Sequence, residues 1–460
     1  MIQVHSRPGA TRFLRENDAN SSIRRFHHVV GFALIALLAA AADSQAHGNK
    51  AISAETYFKR GNLCMERGVF DQAITEYTKA IKINGKFIAA FINRGHAFQA
   101  EGALDEANAD YTRAIEINPR FADAYNNRAV VRFTRNDLAG AMADFDQAIK
   151  LNPNCAEAYY NRGRVRYLTG DTDGAIDDFN HAIPRFPSFL GSVRSLNVKN
   201  PNQALAFNDR GLAKQRKGDL DGALSDYTMA MATNPGLSEA YNNHGGILFA
   251  RGDCAGAMAD FDRAIQADPS YAETYFNRAN ARRSQQNFPG AMADYTAAIE
   301  KNSKLTSAYL NRGTLRYQAG DLDGAIGDFA NVIQLDPQSA GAYNNRGLAW
   351  EAKGEWQSAI ADYTHAVSIC SSLGEAWLNR GRAYEQTGEF DAAISDLDKA
   401  IEIRPTDPNS YLNRGFALLR KGDEAAAGRD FDRVLSLGRY LKPLIESGIK
   451  AIKGKIRLDQ

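Results

Sequence analysis

Nine asparagines fall on a 34-residue step: Asn93, Asn127 and Asn161, then Asn243, Asn277, Asn311, Asn345, Asn379 and Asn413. An amide side chain donates and accepts at once, so it can pair with a peptide backbone whatever side chains that peptide carries. Asparagine is a poor helix former, and so many evenly spaced copies need a reason. Beside them runs a row of cations: Arg60, Arg94, Arg128, Arg162, Arg210, Arg278, Arg312, Arg346, Arg380 and Arg414, with His244 the exception. Sixteen residues after each cation stands a carboxylate, as in Arg94 and Asp110, Arg128 and Asp144, Arg312 and Asp328, Arg346 and Asp362, or Arg60 and Glu76. A guanidinium at a packed interface needs such a partner, so these pairs read as a structural ion-pair ladder rather than an anion site. Sequence leaves open whether each pair closes within a unit or between neighbours. The unit with His244 should be the weak rung.

Other chemistry is sparse. Lys+Arg 55 against Asp+Glu 54 leaves no basic field for nucleic acid. Cys64, Cys155, Cys254 and Cys370 are scattered, without CxxC or a Cys/His cluster, and read as small packing residues. No GxGxxG, Walker, HExxH or GxSxG motif is present, so no enzyme, cofactor, metal or small-molecule substrate is expected.

The elements that carry the two ladders repeat with them. With each unit numbered 1–34, and Gly347 at position 8 of the unit starting at Ala340, eleven units fit: four over 54–189 and seven over 204–441. Position 4 is aromatic in all eleven, position 8 is Gly or Ala, position 20 is Ala, and position 24 is aromatic except at Leu397. Positions 4, 8 and 11, and again 20, 24 and 27, follow helical spacing, which predicts two helices per unit. Glycine at position 15, such as Gly68 and Gly354, suits a left-handed helix end. Aspartate at position 18, such as Asp105 and Asp323, is expected to cap the second helix, and proline near 32 to stop it. At about 100° per residue, positions 4, 7, 8 and 11 form the core stripe. Asparagine at position 6 then faces away from the core, and arginine at position 7 lies on its edge.

This pattern resembles the tetratricopeptide repeat family over 374 of 460 residues. The resemblance implies an all-α fold: a right-handed superhelical solenoid of eleven helix-turn-helix repeats whose first helices line a concave groove. The nine asparagines are similar to the ladder lining the repeat superhelix of O-linked N-acetylglucosamine transferase, with Lys59 and Asp209 interrupting it. The alternative is that the amides bond to one another or to water. Position 2 is often acidic, as at Glu55, Asp123 and Glu375, which disfavours the carboxylate-clamp type of this family.

Outside the repeats, five arginines precede an unbroken apolar run, Val29 to Ala42, followed by Ser44-Gln45-Ala46. Residues 1–46 read as a secretory signal peptide cleaved before His47, or as an uncleaved N-terminal anchor, with 47–53 a linker. Either would place the repeats outside the cytoplasm, in a bacterial periplasm. Residues 190–203 read as an insertion between the two blocks, with Pro184 shortening the helix before it. Residues 442–460 read as a capping helix with a basic outer side. The expected function is a non-enzymatic scaffold binding extended protein segments of unknown identity in its groove through the asparagines. The alternative is an accessory component of a cell-envelope or polysaccharide-export complex that uses its outer faces. Membrane contact is expected only through an uncleaved leader.

Overall fold

The computed structural model of the chain describes residues 53–186, 200–438 and 441–456. The leader and most of the 190–203 insertion lie outside them. All regular structure among the described residues is helical. Each repeat opens with a helix such as Ala54–Glu66 or Ala340–Ala352 and continues with one such as Phe70–Ile83 or Trp356–Ile369. The helices form two compact units, one ending at Asp268 and one beginning at Pro269. Within each unit, every second helix packs on the first helix of the following repeat, and neighbouring first helices touch.

The period-34 residues explain this packing. Ala73 and Ala359 at position 20 and Tyr77, Phe145, Phe329 and Tyr363 at position 24 are 0 % exposed. The ring at position 24 presses on position 8, so a Cβ on Gly347 would lie 2.6 Å from Tyr363 Cε1. Stacking between repeats uses positions 3 and 10: Ala124, Val131, Ala342 and Ala349 are all 0 % exposed. In repeat 1 the same positions hold Thr56 and Leu63, and Leu63 is 50 % exposed.

Glycine at position 15 ends the first helix with φ between 70° and 97°, from Gly68 to Gly422. Repeats 3 and 7 place Asn136 (φ 62°) and Gln286 (φ 61°) there instead. The expected cap at position 18 is not what the structure shows. The cap is position 16, where Asp137 accepts from the Gly140 N–H at 2.9 Å. Asp171, Asp219, Asp253, Asn287, Asp321 and Asp423 do the same in their repeats. Position 18 already lies inside the first turn, too late to reach its free N–H groups. Its aspartates reach the next repeat instead: Asp105 pairs with Arg135 at 2.7 Å, and Asp323 with Lys353.

Next to the undescribed segment, the second helix of repeat 4 stops at Ala182 and passes into a 3-10 turn containing Pro184. The first helix of repeat 5 starts early, at Pro201, with Asn200 as its cap. At the other end, helix Lys442–Ile456 buries Ile445 and Ile452 in one cluster with Leu412 and Phe431 of repeat 11.

Candidate functional site: the two polar ladders

The arginine rungs close within one repeat. Arg94 Nε donates to Asp110 Oδ2 at 2.8 Å and Nη2 to Oδ1 at 2.7 Å, a planar fork on a planar carboxylate. The same fork joins Arg128 to Asp144, Arg312 to Asp328 and Arg346 to Asp362. The third nitrogen then ties the repeat to its predecessor. Nη1 of Arg94 reaches Thr78 at 2.9 Å, that of Arg162 reaches Asp146 at 2.7 Å, and that of Arg312 reaches Thr296 at 2.9 Å. Each guanidinium also lies over the position-4 ring of its own repeat, 5.7 Å from Phe91 for Arg94 and 4.9 Å from Trp377 for Arg380. The bonds to Asp144 and Asp362 push Arg128 and Arg346 above the usual arginine range, so these rungs stay charged.

Two rungs differ. In repeat 1, Arg60 is exposed and Glu76 pairs with Lys79 instead, so the expected Arg60–Glu76 rung is not made. In repeat 6, His244 Nδ1 meets Asp260 at 2.6 Å through a single contact. Several aspartates gain a second cation from position 11, as Asp144 does from Arg132 and Asp328 from Arg316. Repeats 6 and 9 carry Leu248 and Trp350 at that position and have none.

The asparagines do not stand clear of the packing. Asn161, Asn345 and Asn379 are 5 %, 1 % and 3 % exposed. A wheel drawn for one hairpin omits the neighbouring first helix, and position 6 faces that helix. The amide nitrogen donates backwards to the preceding repeat: Asn93 to Asn62 at 2.9 Å, Asn127 to His96 at 3.0 Å, and Asn311 to Asn280 at 3.1 Å. These acceptors are all at position 9. Where position 9 is Leu212 or Leu348, position 5 supplies the acceptor, so Asn243 donates to Asn208 at 3.1 Å and Asn379 to Asn344 at 3.0 Å. Asn413 turns to its own helix, donating to the Asn409 carbonyl at 2.7 Å. Asn161 and Asn345 make no bond of this kind among the described residues, where the buried Asn345 Oδ1 also has no partner. The carbonyl oxygens of Asn93, Asn243, Asn311 and Asn379 accept nothing among the described residues. Asn277 takes part in other contacts.

The links named so far run one way, with donors in the later repeat and acceptors in the earlier. The junction of repeats 4 and 5 reverses this. There Asp209 holds the ladder position and accepts from the Tyr160 hydroxyl of the earlier repeat at 2.9 Å, with Arg164 Nε 3.8 Å away.

A third set of residues was not foreseen. A tyrosine at position 24 buries a hydroxyl, which must find an acceptor, and position 9 or 12 of its own first helix supplies it. Tyr77 donates to Asn62 at 2.8 Å, Tyr227 to Gln215 at 2.8 Å, Tyr295 to Asn280 at 2.6 Å and Tyr363 to Glu351 at 3.0 Å. Where position 24 is Phe145, Phe179, Phe261 or Phe329, position 12 is aromatic (Phe133, Tyr167, Phe249 and Tyr317), and where it is Phe431, position 12 is Leu419. The signal was in the sequence as a correlation between Tyr/Phe at 24 and polarity at 9 or 12. It separates polar groups that serve the core from rings that border the ladder.

No cluster of His, Cys, Asp or Glu among the described residues has the makings of a metal site. No curated protein matches the chain. Among solved structures, MamA is 25 % identical over 38 % of this chain and 96 % of its own, with a TM-score of 0.35. Yeast Tom70 is 17 % identical over 88 % of this chain and 96 % of its own, with a TM-score of 0.36. YrrB, described as a TPR protein with an unusual peptide-binding site, is 20 % identical over 40 % of this chain and 95 % of its own, with a TM-score of 0.38. Models of the TPR repeat match residues 61–102, 95–134, 131–170, 245–282 and 381–422, and tetratricopeptide repeat models match 156–187, 276–340 and 310–372. With paired helices on the same period, and these models covering more than half of its length, the chain belongs to the tetratricopeptide repeat family.

Proposed function

We propose that the chain is a non-enzymatic scaffold that binds extended protein segments along its first-helix face, where the ladder oxygens accept backbone N–H groups. The observation that carries this reading is the division of labour within the amides. Their nitrogens are spent on the preceding repeat, while the oxygens of Asn93, Asn243, Asn311 and Asn379 accept nothing among the described residues. A backbone acceptor repeated once per repeat gives affinity for any extended chain, and the neighbouring rings at position 12 supply preference. Asn127 and Asn161 extend the row in the same register, as do Asn277, Asn345 and Asn413. The leader's charged and apolar segments support export, so the partners would be proteins outside the cytoplasm.

The test is binding of the purified protein to an array of overlapping 15-residue peptides from secreted proteins, beside an Asn243/Asn311/Asn379→Ala variant. The peptides retained by the parent should be lost by the variant while its helical circular dichroism is unchanged. Equal retention would sink the ladder reading and move any partner to the outer faces, as in an envelope-complex component.

A further inference from the structure

Repeat 6 departs from its neighbours at position 4. In the other ten repeats an arginine at position 7 lies over the position-4 ring, from Arg60 over Tyr57 to Arg414 over Tyr411. In repeat 6 that arginine is His244, which is turned to Asp260. In repeats 7, 10 and 11 the ring's polar atom is tied to the preceding loop: Tyr275 donates to the Pro269 carbonyl at 3.3 Å, Trp377 to Ser371 at 2.9 Å and Tyr411 to Pro405 at 3.2 Å. Among the described residues the Tyr241 hydroxyl makes no such bond to Pro235.

A cleft of about 310 Å³ opens beside this ring, lined by Pro235, Gly236, Tyr241, Arg263, Gln266 and Ala267. Gly236 adds no side chain to fill it; a Cβ there would meet only Asn234 Oδ1, at 3.3 Å. Three donors border the space: the Tyr241 hydroxyl, the Arg263 guanidinium and the Gln266 amide. None of them has a partner among the described residues, and Arg263 and Gln266 are exposed. The Tyr241 and Pro235 rings and the Ala267 methyl supply apolar wall.

We propose that this cleft is a second binding site, independent of the ladder, for a carboxylate carried on a short apolar stem. A planar carboxylate fits the guanidinium fork, and the hydroxyl and amide can donate to its remaining lone pairs. The stem lies against the Tyr241 and Pro235 rings. The carbonyl end of helix Cys254–Ala267 opposes an anion here, so Arg263 must carry the charge recognition. A partner's C-terminus and an acidic side chain both present this chemistry.

The experiment is titration of the nitrogen-15-labelled protein, followed by NMR, with N-acetyl-leucine, N-acetyl-glutamate α-amide and the neutral N-acetyl-leucinamide. The amide resonances of Gly236, Gln266 and Ala267 should shift with at least one carboxylate and not with leucinamide. The first probe acting better points to a C-terminus, the second to an acidic side chain. Arg263→Gln removes a solvent-exposed charge with no partner, so the fold should persist while affinity falls about three- to tenfold. Tyr241→Phe keeps the ring and should weaken binding less. Equal shifts with leucinamide, unchanged affinity in Arg263→Gln, or no shift with either carboxylate would overturn the proposal. None of these outcomes bears on the ladder, whose asparagines all remain in place.

Discussion

His96 accepts from Asn127 at 3.0 Å through Nε2, the nitrogen that would have to take up a proton in acid. Burial lowers its pKa from 6.5 to about 4. A base whose folded pKa is depressed gives stability that is present above its unfolded pKa and lost as pH falls through the folded one. The contact between repeats 2 and 3 should therefore lose about 3 kcal/mol between pH 6.5 and 4. Hydrogen exchange of the two repeats at pH 7 and pH 4.5 reads this, and His96→Gln, which can still accept from Asn127, should blunt the loss. A second expectation concerns redundancy. Among the described residues Asp362 pairs only with Arg346, whereas Asp328 has both Arg312 and Arg316. Arg346→Ala strands a carboxylate in a residue 4 % exposed and should cost about 3 kcal/mol, with Arg312→Ala costing clearly less. Equal loss of exchange protection in repeats 8 and 9 would show that the second cation contributes nothing.

Among elements, the tyrosine rule makes a reciprocal prediction. Phe145→Tyr puts a hydroxyl into a fully buried site where positions 9 and 12 are Val130 and Phe133, which offer no side-chain acceptor, and should cost about 1–3 kcal/mol. Tyr295→Phe frees Asn280 of one donor only and should cost about 1 kcal/mol, since Asn311 still reaches it. Chemical denaturation of the two variants gives the order, and a reversed order would refute the rule. At the helix ends, Gln286 holds a left-handed conformation that glycine adopts freely, so Gln286→Gly should stabilise repeat 7 by about 0.5–1 kcal/mol. Asn136→Gly should gain less, because asparagine tolerates that region. A rise in the melting temperature of the first variant but little in the second is the expected result.

Over the whole molecule, the paired helices were legible because small residues at positions 8 and 20, rings at 4 and 24 and glycine at 15 all recur on one period. The arginine–aspartate pairing was legible too, though not that its third nitrogen crosses to the neighbour, since that depends on how two repeats sit. The same gap explains the asparagines. Position 6 of a lone helix looks solvent-facing, and only stacking reveals Asn62, His96 and Asn280 as acceptors. The cap was misplaced by two residues because Asp105 and Asp323 are as well suited in type as Asp137 and Asp321, and only their place in the turn separates them. At repeat 1, the missing rung at Arg60 follows from exposure: a guanidinium in water needs no carboxylate.

The one-way course of the polar links bears on how the chain is made. At the links described, a chain emerging from its N-terminus completes a repeat that offers oxygen acceptors, and the next repeat brings the matching nitrogens. Until then the growing end shows carboxylates, hydroxyls and amide oxygens, which water satisfies. Two such unfinished ends from neighbouring ribosomes present like groups to each other and have little with which to join. Vectorial synthesis and orderly stacking thus proceed in the same sense. The junction of repeats 4 and 5, where Tyr160 and Arg164 reach forward to Asp209, is where a nascent chain must wait for an acceptor that its next segment brings.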